Sequence, residues 1–101
     1  MPEPGLSLLV VYTDRLPECL EFYRGLGLRF VAEQHGAGPA HFSTTLPGGT
    51  VVELYPAGSN PPTGRVRLGF AVSTPPSGSP LTPGTHLLRD PDGRVVEIRV
   101  G

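Results

Sequence analysis

Two glutamates stand in runs that are otherwise apolar: Glu53 in "VVELYP" and Glu97 in "VVEIRV". Side chains alternate between the two faces of a strand. Val52 and Leu54 therefore turn to one side and Glu53 to the other, and Val96 and Ile98 leave Glu97 in the same position. A carboxylate placed this way can coordinate a cation, move a proton or answer a positive charge. Tyr55 and Arg99 are the next residues on those rows. Of the three histidines, His41 and His86 fall in strands and could face the same space. His35 sits at a strand end beside a turn, where a solvated ring is expected. Cys19 lies in a short apolar helical stripe and reads as a packing residue, since nothing near it marks a nucleophile. "LPGGT" lacks the lysine and the strand-to-helix setting of a phosphate loop, so it reads as a hairpin loop.

These residues need strands to carry them, and the chain is patterned accordingly. "LSLLVVY" (6–12) reads as a strand. Asp14 is placed to cap the helix "RLPECLEFYRGLG", with Pro17 in its first turn and Gly25 and Gly27 at its end. Strands follow at 28–35, 40–46 and 50–56, giving the order β-α-β-β-β. After a Pro/Gly-rich link (56–64), "RVRLGFAVS" (65–73) alternates cleanly. The prolines of 74–84 argue against a helix there. "THLLR" and "RVVEIRV" then form a hairpin around "DPDG". The second half starts like the first but lacks its helix, as if the unit were repeated and trimmed.

The chain has 101 residues and reads as one domain, 1–101, with module one at about 5–57 and a degenerate module two at about 64–101. Fourteen Gly and thirteen Pro approach the range of disordered chains, but they cluster between patterned segments and punctuate rather than dilute. A net charge of −1 offers no nucleic-acid footprint. No apolar run reaches membrane length, and "MPEPG" lacks the basic start of a signal peptide. One cysteine allows no internal disulfide, so a cytoplasmic protein is the expectation.

"VYTDRLPECLEFYRGLGLRFV", followed by "VVELYP" and the closing "LRDPDGRVVEIRV", resembles the vicinal oxygen chelate superfamily, which includes glyoxalase I, bleomycin-resistance proteins and extradiol dioxygenases. The resemblance implies an α+β fold of paired βαβββ modules whose curved sheets enclose a pocket, often completed by dimerisation. It also implies that metal-dependent members aim four side chains into that pocket, from the first and last strands of each module. Those positions fall here at Ser7, Glu53, Arg67 and Glu97. Segments 5–12 and 64–73 contain no His, Gln, Glu or Cys.

Two carboxylates alone make a poor transition-metal site, and Arg67 would put a cation where a ligand belongs. The expectation is a metal-free, cofactor-free pocket lined by Ser7, Glu53, Arg67, Glu97 and Arg99, with Leu9, Val11, Val51 and Tyr55 as its walls. It would bind a small polar or cationic molecule and sequester a toxic compound. The alternatives are a lyase, isomerase or dioxygenase using a divalent ion at Glu53 and Glu97, and a non-catalytic dimeric subunit whose pocket is filled by ion pairs. In module one the helix is expected to cover Leu8, Val10 and Tyr12. In module two Val66, Leu68, Phe70, Val72, Val96, Ile98 and Val100 have no local helix above them, which predicts a homodimer with the partner, the 74–84 segment or both on this face, the alternative being that the segment alone covers it.

Overall fold

The computed structural model describes residues 3–73 and 81–101. It is an α+β fold: β1 (Leu8–Thr13), α1 (Leu16–Gly25), β2 (Val31–Glu33), β3 (His41–Thr45), β4 (Val51–Pro56), β5 (Leu68–Val72), β6 (Gly84–Arg89) and β7 (Val95–Val100). Two mixed sheets form, ordered β1-β4-β3-β2 and β5-β7-β6. In each, the first strand of the module lies parallel to the last and the last pairs antiparallel with its predecessor. The second sheet thus repeats the first without its outermost strand, and among the described residues no helix follows β5. Most of the 74–84 segment, expected to be non-helical, lies outside the described residues.

The helix ends as its glycines predict. Gly27 takes φ +100°, its N–H bonds the Arg24 carbonyl, and the Leu28 N–H reaches back to Tyr23, the double closure that a left-handed residue after a helix permits. Its start differs from expectation. No side chain caps it, and Arg15 rather than Asp14 occupies the capping position. The Thr13 hydroxyl instead accepts the Arg15 N–H at 2.9 Å, one residue earlier in the chain.

The phase of β1 is also the reverse of the expected one. Leu8 and Tyr12 are 51 % and 43 % exposed, while Val11 and Thr13 are each 1 % exposed beneath the helix. "LLVVYT" is apolar on both rows, so alternation alone could not decide which row faces in. Pairing decides it: Val11 lies beside Leu54 and Leu9 beside Val52, the two buried residues of β4. Leu9 and Val11 are therefore core, not pocket wall.

A second correction concerns the row left bare in module two. Leu68, Val96, Ile98 and Val100 are buried, in one cluster with Cys19, Leu20 and Tyr23 of α1 and Val11, Val52 and Leu54 of the first sheet. The Tyr23 ring meets Phe70 at 6.2 Å. One helix packs against the inner rows of both sheets, so this face needs no second copy to cover it.

A buried polar network locks the two modules together. The Arg94 guanidinium donates from Nη1 to Asp90 Oδ2 at 2.7 Å and from Nη2 to Asp92 Oδ2 at 2.8 Å, and Nη2 also approaches the carbonyls of Tyr12 and Thr63. Tyr23 donates its hydroxyl to Asp90 and Thr13 donates to Asp92, both at 2.6 Å. Asp90 Oδ1 accepts the N–H groups of Asp92 and Arg94, and Gly93 at φ +88° completes the turn. Burial alone would raise the Asp90 pKa, but the hydrogen bonds from Tyr23 and Arg94 outweigh it and hold the carboxyl below its ordinary range. Burial, then the bond to Asp90, pushes the Tyr23 phenol far above its own.

Removing one partner of such a pair strands a buried charge. Arg94→Met is expected to lower the unfolding free energy in urea by about 3–5 kcal/mol, and Tyr23→Phe by about 1–2 kcal/mol. A depressed carboxyl pKa stabilises fully above its unfolded value of about 4 and loses that contribution as pH falls below it. The deficit of Asp90→Asn should therefore shrink in acid. A deficit that stays constant from neutral pH to about pH 2 would show that Asp90 is not charged in the fold.

Candidate functional site: the outer face of the first sheet

With Val52 and Leu54 committed to the core, alternation turns Glu53 and Tyr55 to the opposite, outer face. Registration brings their neighbours. Tyr12 lies beside Tyr55, Val10 and Ser43 flank Glu53, and Glu33 pairs with His41. Rings run across the strands in sequence: Tyr12 to Tyr55 at 5.8 Å, Tyr55 to His41 at 4.0 Å and nearly parallel, His41 to His35 at 5.3 Å. The row forms an aromatic shelf on a face that also carries Leu8, Val10, Val31 and Val51.

His41 is its buried centre, 1 % exposed. Its Nδ1 lies 3.1 Å from the Pro39 carbonyl, which can only accept, so Nδ1 carries a hydrogen. Its Nε2 points between two carboxylates, 3.6 Å from Glu33 Oε1 and 3.5 Å from Glu53 Oε2, and has no hydrogen-bond partner among the described residues. Partial burial, then the charge of Glu53 and the neighbouring Tyr12 and Glu33, raises the Tyr55 pKa, so the shelf keeps a neutral phenol at its middle. The arrangement leaves the Tyr12 ring and the open side of Tyr55 at the surface, with acidic oxygens for a cation beside them.

The six residues expected to share one pocket are distributed over the two sheets. Glu53 and Tyr55 lie on this face. Glu97 lies on the outer face of the second sheet, because Val96, Ile98 and Val100 occupy the inner row, and Arg99 shares its parity. Arg67 Nη2 donates to Glu97 Oε1 at 3.0 Å, so the arginine answers Glu97 rather than Glu53. Ser7 is exposed before β1, on the parity of Leu9 and Val11. The inner rows of both sheets pack with the one helix in a single core, so Glu53 and Glu97 each lie on the face turned away from it.

The expectation that His41 could face the site holds. His86 instead directs Nε2 to the Thr82 carbonyl at 2.6 Å. His35 is exposed, as its place beside a turn predicts, yet it lies against His41. Glu33 was not singled out by pattern, since the "VAEQH" run gives no phase for so short a strand. The outer face is open rather than enclosed. A cleft of about 730 Å³ opens elsewhere, between the helix end, the β3–β4 turn and edge strand β5, with Arg29 as its one charged lining residue. No helix among the described residues is long and apolar enough to cross a membrane.

Solved structures share this fold over nearly the whole chain. An antibiotic-binding protein, TnmS3 from Streptomyces sp. CB03234, superposes with a TM-score of 0.63 at 19 % identity, over 99 % of this chain and 98 % of that one. A glyoxylase/bleomycin resistance protein/dioxygenase domain from Frankia sp. EAN1pec gives 0.62 at 19 % identity, over 99 % and 93 %. A lactoylglutathione lyase from Agrobacterium tumefaciens gives 0.59 at 18 % identity, over 100 % and 96 %. No family model and no curated protein sequence matches the chain. The chain shares the fold of these structures, the α+β fold that the resemblance in the sequence implies.

Arg67 is 62 % exposed and Glu97 31 %, so their pair is screened by water. A double-mutant cycle with Arg67→Ala and Glu97→Gln should give a coupling below about 1 kcal/mol in dilute protein. A coupling that grows with protein concentration would show a second copy covering this face.

Proposed function

We propose that the protein binds a small, flat, partly cationic organic molecule on the outer face of the first sheet, and so sequesters it. The observation that carries this reading is the Tyr12–Tyr55–His41 shelf with the Glu53 carboxylate beside it. A strand that needs only to fill a core has no use for an acid and an exposed ring on its other side. A ligand that stacks on Tyr12 and Tyr55 and places an amino group at Glu53 gains both apolar contact and charge neutralisation. The antibiotic-binding protein from Streptomyces with the same fold supports a ligand of this class. The ligand is held by side chains directly, and the Glu53–Glu97 pair plays no part as an ion site.

An open sheet face leaves a bound molecule half in water. A second copy laying the outer face of its second sheet against the shelf would close the site with its own Arg67, Glu97 and Arg99. The expected six-residue pocket would then form between copies, apart from Ser7.

The chain has no tryptophan and only three tyrosines, so tyrosine fluorescence reports on the shelf. Planar aromatic antibiotics carrying an amino group, titrated in EDTA-containing buffer, are expected to quench it saturably. Tyr55→Ala should weaken binding by about tenfold or more, equivalent to about 1.4 kcal/mol. Glu53→Gln should weaken the amino compounds and spare neutral analogues of the same ring system. Binding indifferent to both substitutions, or no binding across the series, would overturn the proposal.

A further inference from the structure

A second feature of the outer face lies at the His41 end of the ring row. Glu33, His35 and His41 offer ligand atoms that all lie within 4.8 Å of one another. They come from the end of β2, the turn after it and the start of β3, away from the first-strand and last-strand positions that the resemblance marks as metal-binding. We propose that these three residues hold a divalent transition-metal ion of the zinc or nickel class.

Three observations lead there independently of the cluster itself. First, His41 Nε2 is buried, has no hydrogen-bond partner among the described residues and is aimed into the group. A buried polar atom left this way is costly unless something occupies the space in front of it. Second, the atoms facing it are both acidic. With the hydrogen on Nδ1, the Nε2 lone pair looks at two carboxylate oxygens at 3.5 and 3.6 Å, an arrangement that calls for a cation between them. Two atoms each about 2.0–2.2 Å from a tetrahedral ion stand about 3.4 Å apart, so the His41 and carboxylate atoms are already near that spacing. Third, the far nitrogen is fixed. Metal-bound histidines donate the other ring N–H to a carbonyl or carboxylate, and Nδ1 lies 3.1 Å from the Pro39 carbonyl.

A proton on Nε2 would also place a positive charge there, but it would leave His35 without a part. The turn brings that ring back: Gly36 takes φ +57°, and the Gly38 N–H bonds the His35 carbonyl at 2.9 Å. Two imidazoles and a carboxylate suit zinc, nickel, cobalt or copper, and disfavour calcium and magnesium, which prefer all-oxygen sites. The inference goes beyond the stacking site and does not depend on it, since the ion is read with no organic molecule present.

Chelator-stripped protein titrated with Co²⁺, followed by the visible absorption of the bound ion, gives a direct readout, with Zn²⁺ competition and a thermal-shift series beside it. One equivalent of cobalt is expected to bind and be displaced by zinc. His35→Ala, on an exposed ring, keeps the fold testable where His41→Ala disturbs the stack. His35→Ala and Glu33→Gln are each expected to weaken binding at least about tenfold, the lower end of what even outer-shell changes do. His86→Ala and Glu97→Gln should leave it unchanged. No cobalt spectrum, binding unaffected by His35→Ala and Glu33→Gln, or binding abolished by Glu97→Gln would each overturn the proposal.

Discussion

Arg94 ends in a guanidinium almost wholly removed from water, and its hydrogen bonds reach three separate parts of the chain. Asp90 and Asp92 belong to its own turn, Tyr12 lies near the end of β1, and Thr63 lies in the link between modules. Asp90 in turn receives Tyr23 from the helix, and Asp92 receives Thr13. A planar, permanently charged fork suits this junction, because it presents several donors in fixed directions and cannot lose its charge. Burying it is unfavourable in isolation. The carboxylates and carbonyls around it offset that, and the geometry they require fixes where the first sheet, the helix and the second sheet sit relative to one another.

The junction matters because the core is small. Only 38 % of the residues are hydrophobic, and one ten-residue helix serves two sheets. Cys19, Leu20 and Tyr23 contribute to one buried cluster that reaches both inner rows. Tyr23 is the hinge between the apolar and polar halves of this arrangement: its ring packs on Phe70 while its hydroxyl is spent on Asp90. A second helix, had the repeat been complete, would have covered the second sheet separately. Among the described residues the first helix alone meets the inner rows of both sheets.

Much of the fold could be read from the residues. The alternation in "VVELYP" and "VVEIRV" assigned Glu53 and Glu97 to outward rows, and both are there. The turn in "DPDG" and the double glycine after the helix are where their chemistry places them. What resisted reading was phase and assembly. "LLVVYT" carries apolar residues on both rows, so no local rule told Val11 from Tyr12. The core function of "DPDGR" was hidden because Asp and Arg in a turn look like solvated surface, and only long-range contact with Tyr23 and Thr13 reveals otherwise. The six-residue pocket requires Glu53 and Glu97 to face one shared space. That is a statement about how two sheets meet, which strand periodicity does not contain.

The two outer faces differ in their chemistry. On the second sheet the acid, Glu97, is matched by Arg67, and a matched surface pair has little left to offer a ligand. On the first sheet no arginine or lysine answers Glu33 or Glu53 among the described ion pairs. They converge instead on the nitrogen of a buried histidine whose other side is already tied to the backbone. An acidic pair without a cation partner, set against stacked rings and held by the interior pairing of β3 and β4, is electrostatically incomplete. The charge that would complete it is positive, and both a cationic ligand on the shelf and an ion at the His41 end supply it from the same side of the sheet.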